Sequence, residues 1–247
     1  MIVNYKGKDI DLSNGLDISL TLKDGAENPR AWYVDAPKFV PVRTADWTGV
    51  VKEGGAVNFR DVFFNPHGHG THTECLGHIT PEVYSVNALL KEYFFEAELI
   101  SIKPKSITQS GQLDKVVTAE QIHEKLGDKK CEALIIRTLP NTDEKKSKNY
   151  SSTNPPYLQV EAIEVLNKAG VKHLLIDLPS VDKELDGGVL AFHHAFWGVP
   201  DNPKLDKTIT EFIFVADDIA DGSYLLNLQV APFENDAAPS RPVIFPW

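Results

Sequence analysis

Four of the eight histidines in the chain fall within twelve residues: His67, His69, His72 and His78, in the run NPHGHGTHTECLGHI. Glu74 stands among them, and glycines punctuate the run. Neutral imidazole and carboxylate are the usual protein ligands of zinc, manganese and iron in hydrolytic sites, so these residue types point to a metal centre. If residues 70–78 are extended, alternate side chains share a face, which aligns His72, Glu74 and His78. His67, His69 and Thr71 then point the other way, unless Gly68 or Gly70 introduces a bulge. Spacing therefore makes His72 and Glu74 adjacent ligand candidates. The competing reading is a loop of surface histidines.

A second set of candidates lies downstream. His193 and His194 end the apolar run GGVLAF, and Glu211 sits in TITEFIFV among apolar neighbours. A carboxylate in such surroundings is paired, ligating, or on an exposed face. Asp177 and Ser180 read as a turn with local backbone bonds rather than parts of a triad. No Gly-x-Ser-x-Gly elbow occurs, which argues against a serine nucleophile. Cys75 reads as a buried spectator, since nothing in the sequence would lower its pKa. Trp32, Trp47, Phe63 and Phe64 are open to two readings, core or oligomer contact against an aromatic-substrate pocket, and no substrate-binding residue is assigned.

The elements that must hold these residues alternate in type. VTAEQIHEKLG (117–127) predicts a helix capped by Thr118 with Gln121 and stopped by Gly127. LQVEAIEVLNKAG (158–170) predicts a short amphipathic helix. YFFEAELISIK (93–103), CEALIIRTL (131–139), VKHLLIDLPS (171–180), TITEFIFVA (208–216) and YLLNLQVA (224–231) predict strands. Strand–helix–strand order implies a parallel crossover unit. The early region predicts strand and turn, including ISLTL (18–22) and AWYV (31–34), while residues 81–92 predict a helical turn or two. Polar, proline-terminated residues 141–157 predict a loop. The expectation is one mixed α/β domain over residues 1–247.

Bulk properties restrict the partners. A net charge of -10 repels polyanions, so neither nucleic acid nor anionic membrane is an expected partner. Two cysteines exclude a disulfide framework. No stretch approaches the ~18 apolar residues of a membrane span. The N-terminal segment has no basic-then-apolar signal, and a cytoplasmic protein is expected.

The histidine run also resembles a family motif. Gly68-His69-Gly70-Thr71-His72-Thr73-Glu74-Cys75-Leu76-Gly77-His78 is similar to the His-x-Gly-Thr-His-x-Asp-x-Pro-x-His segment of the cyclase family, which includes kynurenine formamidase. VLNKAGVKHLLIDLPSVD (165–182) and the C-terminal PFENDAAPSRPVIF resemble further segments of that family. The resemblance implies a swivelling β/β/α fold, a homodimer, and a divalent zinc or manganese ion. It implies His72, Glu74, His193 (or His194) and Glu211 as ligands and His78 as general base. It also implies hydrolysis of a small amide C–N bond, as in N-formylkynurenine during tryptophan catabolism. A related cyclic amide or lactone hydrolase, or a non-catalytic binding protein, are the alternatives. Three positions depart from the motif: Gly68 replaces a ligand histidine, Glu74 an aspartate, and Leu76 a proline. His67 or His69 is the candidate to fill the place that Gly68 leaves.

Overall fold

The computed structural model describes residues 1–109 and 111–247. Among these, nine strands form one mixed, curled sheet. Its centre is four parallel strands, Phe94–Ile102, Ala133–Thr138, His173–Ile176 and Thr208–Glu211, each paired to the next. Beyond Phe94–Ile102 run Gly222–Asn227, Val243–Pro246 and Leu16–Asp17, all antiparallel. Beyond Thr208–Glu211 lie His72–Glu74 and then Ala237–Pro239, also antiparallel. A three-stranded sheet and two hairpins complete the fold.

Both faces of the central strands are covered, and this explains their continuous apolar runs. On one face Ile100, Leu134, Ile136 and Leu174 share a core with Ile122, Leu166 and Phe196 from three helices. These helices are Ala119–Leu126, Ala162–Ala169 and Ala191–Trp197. On the other face Phe95, Ala97, Leu99, Ile135 and Leu175 meet Leu226 and Ile244 from the antiparallel strands.

The first helix begins as its sequence predicts. The Thr118 hydroxyl accepts from the Gln121 backbone N–H, and the Gln121 side chain accepts from the Thr118 N–H. A cap of this kind contributes about 1 kcal/mol. Ala162–Ala169 connects the parallel strands Ala133–Thr138 and His173–Ile176, which is the expected crossover unit. Residues 81–92 supply the single turn Val86–Leu89.

Three expected strands differ. Residues 18–22 form no ladder; Ile18 bonds to Pro242 and Phe214, and the Leu20 N–H donates to the Thr71 hydroxyl. Residues 31–34 cannot be a strand because Trp32 and Tyr33 both hold φ 60°. The last parallel strand stops at Glu211, since Phe212 turns left-handed at φ 54°. That stop leaves Glu211 at the strand end beside His72, its ladder partner.

Candidate metal centre

The site forms where the outer strand His72–Glu74 lies between Thr208–Glu211 and Ala237–Pro239. Strand pairing sets His72 opposite Glu211 and Glu74 opposite Ala237. The extended stretch expected over residues 70–78 is much shorter. Gly70 enters at φ 66°, and a 3-10 turn, Leu76–His78, follows the strand. These two bends bring both His67 and His78 back over Glu74, which strand alternation would have separated.

At the buried end, ligand atoms of His72, Glu74 and Glu211 lie within 4.8 Å of one another. His72 Nε2 stands 3.4 Å from Glu211 Oε2. His193 Nε2 meets the other oxygen of Glu74 at 3.1 Å. At the outer end, His67 Nδ1 is 3.0 Å from Glu74 Oε2 and His78 Nε2 is 4.0 Å from the same oxygen. The His67 and His78 rings stack with centroids 4.2 Å apart. The site thus grades from a fully enclosed floor to a mouth, where His78 is 32% exposed.

Of the residues predicted from the sequence, His72, Glu74, His78, His193 and Glu211 are brought together, and His67 joins them. His69 does not. Its Nδ1 accepts from the Asn65 N–H at 2.8 Å, and its Nε2 bonds the Asp35 carbonyl at 2.7 Å, so both nitrogens serve loop structure. His194 also lies outside, with Nδ1 on the Val199 carbonyl at 3.2 Å. Two further carboxylates join the cluster, neither assigned a role by spacing although both lie in segments that resemble the family. Asp182 Oδ2 takes the His193 Nδ1 bond at 2.6 Å, and Asp236 Oδ2 lies 2.8 Å from His67 Nε2 and 3.2 Å from His78 Nδ1. Asp182 also accepts from the backbone N–H groups of Phe192 and His193, which fixes the start of that helix.

The charges of these groups are coupled. Burial would raise the Glu74 carboxyl, but His78, His193 and His67 outweigh it and hold the group well below the usual carboxylate range. Burial, then the neighbouring Glu74 charge, pushes Glu211 up. His193 is opposed by burial, yet Asp182 and Glu74 raise it to about 10. The pocket therefore strongly favours positive charge, supplied by protons or by a metal ion that displaces them.

The polar inventory tests whether a metal fits. His72 Nε2, Glu74 Oε2 and Glu211 Oε1 are buried without an aligned hydrogen-bond partner. Each such atom costs about 1–3 kcal/mol, and more if charged. Three within one pocket, made of imidazole and carboxylate, are the donors that a divalent ion of the zinc or manganese type requires. The residues fit the group.

A family model described as a putative cyclase matches residues 10–183. The chain belongs to the cyclase family. A kynurenine formamidase of Bacillus thuringiensis is 28% identical over 235 residues, covering 95% of this cyclase-family chain and 98% of its own. One from Bacillus anthracis is 28% identical over 196 residues, covering 79% and 83%. Among solved structures, a potential metal-dependent hydrolase with cyclase activity superimposes with TM-score 0.65 at 14% identity, covering 94% of this chain and 96% of that one. An isatin hydrolase from Labrenzia aggregata gives 0.66 at 14% identity, covering 94% of both chains.

In this member of the cyclase family, a side chain at Gly68 would require its neighbour Val34 to shift. A Cβ there would lie 2.6 Å from Val34 Cγ2, and the left-handed glycine of the loop is Gly70. Gly68→His is therefore expected to destabilise the fold by about 1–3 kcal/mol, as overpacking typically does, and so to lower the melting temperature without tightening metal binding. A stable Gly68→His protein with raised metal affinity, measured by titration and thermal melting, would show that the loop can turn that side chain inward.

Proposed function

We propose that this protein is a metal-dependent hydrolase of small-amide C–N bonds, arylformamidase-like, taking N-formylkynurenine to kynurenine and formate. The observation that carries the reading is the group of buried atoms on His72, Glu74 and Glu211 that lack an aligned hydrogen-bond partner. Similarity to kynurenine formamidases along 95% of the chain supports the substrate class.

His72, Glu74, Glu211 and His193 would hold the ion. When bound there, a divalent metal supplies a water of lowered pKa and an electrophile for the amide oxygen. His78 sits at the mouth, where imidazole can take a proton from the attacking water and return it to the leaving nitrogen. The products are then a carboxylate and an amine. Asp182 keeps the His193 ring oriented, as carboxylates behind ligand histidines do. Phe64 and Phe233 stand three residues before His67 and Asp236, with ring centroids 6.2 Å apart, and offer an aromatic wall to an aryl substrate. The hairpin of Lys38–Pro41 and Arg60–Phe63 leaves Val40, Phe59, Val62 and Phe63 exposed, which supports a homodimer. No helix among the described residues is long and apolar enough to cross a membrane.

The test is elemental analysis of protein purified without chelator, paired with an N-formylkynurenine assay. A divalent ion is expected, and His72→Ala should lower its content far more than His123→Ala on the Ala119–Leu126 helix. Turnover of a cyclic amide or lactone in place of the formamide would reassign the substrate. A protein that neither carries nor takes up zinc, manganese or iron would leave a non-catalytic binding role.

A further inference from the structure

Asp236 is the one carboxylate of the cluster that touches two histidines and stands outside the group of atoms without an aligned hydrogen bond. Among the described residues its side chain bonds only to His67 Nε2 and His78 Nδ1, both through Oδ2. The strand that follows does not need this side chain for docking. The Cys75 N–H donates to the Asp236 backbone carbonyl at 3.0 Å, and the Ala237↔Glu74 pairing continues from there. The side chain is thus left to the two imidazoles.

The consequence is a matter of tautomers. A carboxylate only accepts, so His78 must carry a proton on Nδ1 and His67 one on Nε2. In a neutral His78 the lone pair is then on Nε2, the atom that faces Glu74 at 4.0 Å. The same wiring recurs one step deeper, where Asp182 takes His193 Nδ1 and Nε2 faces Glu74 at 3.1 Å. Stacking of the His67 ring on the His78 ring at 4.2 Å limits rotation of either. Asp236 lies far from both histidines in sequence, so the three meet only through the strand pairing at the sheet edge.

We propose that Asp236 is the positioning residue of the general base, holding the His78 ring so that Nε2, not Nδ1, is the proton acceptor. The assignment of His78 as base rests on the hydrolase reading above, whereas the orientation itself does not. Loss of an orienting carboxylate costs a histidine base because the wrong nitrogen becomes protonated. The effect falls on turnover rather than on substrate affinity.

Two measurements test this. The first is imidazole nitrogen spectroscopy on histidine-labelled protein in excess zinc at mildly alkaline pH. His78 is expected as the Nδ1–H tautomer, and Asp236→Asn, which is isosteric, is expected to move its proton toward Nε2. A His78 ring protonated on Nε2 alone or on both nitrogens, or one unmoved by Asp236→Asn, overturns the proposal. The second is a kinetic cycle with N-formylkynurenine. Asp236→Asn should lower kcat by about 10²-fold or more with KM nearly unchanged. In a His78→Ala background the same change should alter kcat by less than about twofold, because residues acting as a unit are not additive. Additive losses overturn the positioning role. If the expected tautomer is found but no amide is hydrolysed, the hydrolase reading fails and the orientation by Asp236 stands.

Discussion

Replacing His78 by alanine should lower amide turnover by about 10²–10⁴-fold, the usual contribution of a general acid–base residue, with metal content near wild type. The proposed division of labour rests on position. His78 is 32% exposed and reaches Glu74 at 4.0 Å, whereas His72 and Glu211 are closed off from solvent. A base must meet incoming water and a leaving nitrogen, and only the mouth of the site provides that access. Kinetics alone do not separate a base from a ligand, so metal must be measured on the same preparation. If zinc or manganese leaves with the His78 imidazole, His78 is a ligand and the base lies elsewhere.

Glu74 is the position where the largest combined loss is expected. One oxygen bonds His193, the other pairs with His67 at 3.0 Å and belongs with His72 and Glu211 to the buried atoms that lack an aligned hydrogen bond. Glu74→Gln keeps the shape and removes the charge. Metal affinity should then fall by more than the about 10–100-fold that losing a residue behind the ligands costs. Hydrolysis should fall with it and not return at saturating metal, because the buried imidazoles lose the charge around which they are arranged. Titration with zinc and manganese, beside a melting curve, reads this directly. A folded Glu74→Gln protein with wild-type metal content would remove Glu74 from the ligand set.

Local signals were legible in the sequence, and long-range ones were not. Thr118, Gln121 and Gly127 mark a helix because capping is settled within a few residues. The central strands are readable as apolar runs because both their faces are buried. That same burial makes alternation uninformative at Glu211, whose inward direction depends on pairing with His72. That His67 rather than His69 reaches the cluster goes with a left-handed Gly70, which spacing does not encode. His69 is claimed by backbone groups of Asn65 and Asp35 that a sequence pattern cannot reveal. Asp236 lies in the short stretch ENDAAP, which has no periodicity, and enters the site because Ala237 pairs with Glu74.

That pairing also fixes when the centre can come into being as the protein is synthesised. The segment carrying His67, Glu74 and His78 leaves the ribosome early, but His193, Glu211 and Asp236 follow only after most of the chain. Closing so long a loop costs little more than closing one half its length, yet it must await the arrival of both ends. An ion caught by the early histidines would have one carboxylate and no enclosing wall. The walls of the site are therefore complete only once Ala237–Pro239 has paired with His72–Glu74, and enclosure of an ion there would follow that pairing rather than template it.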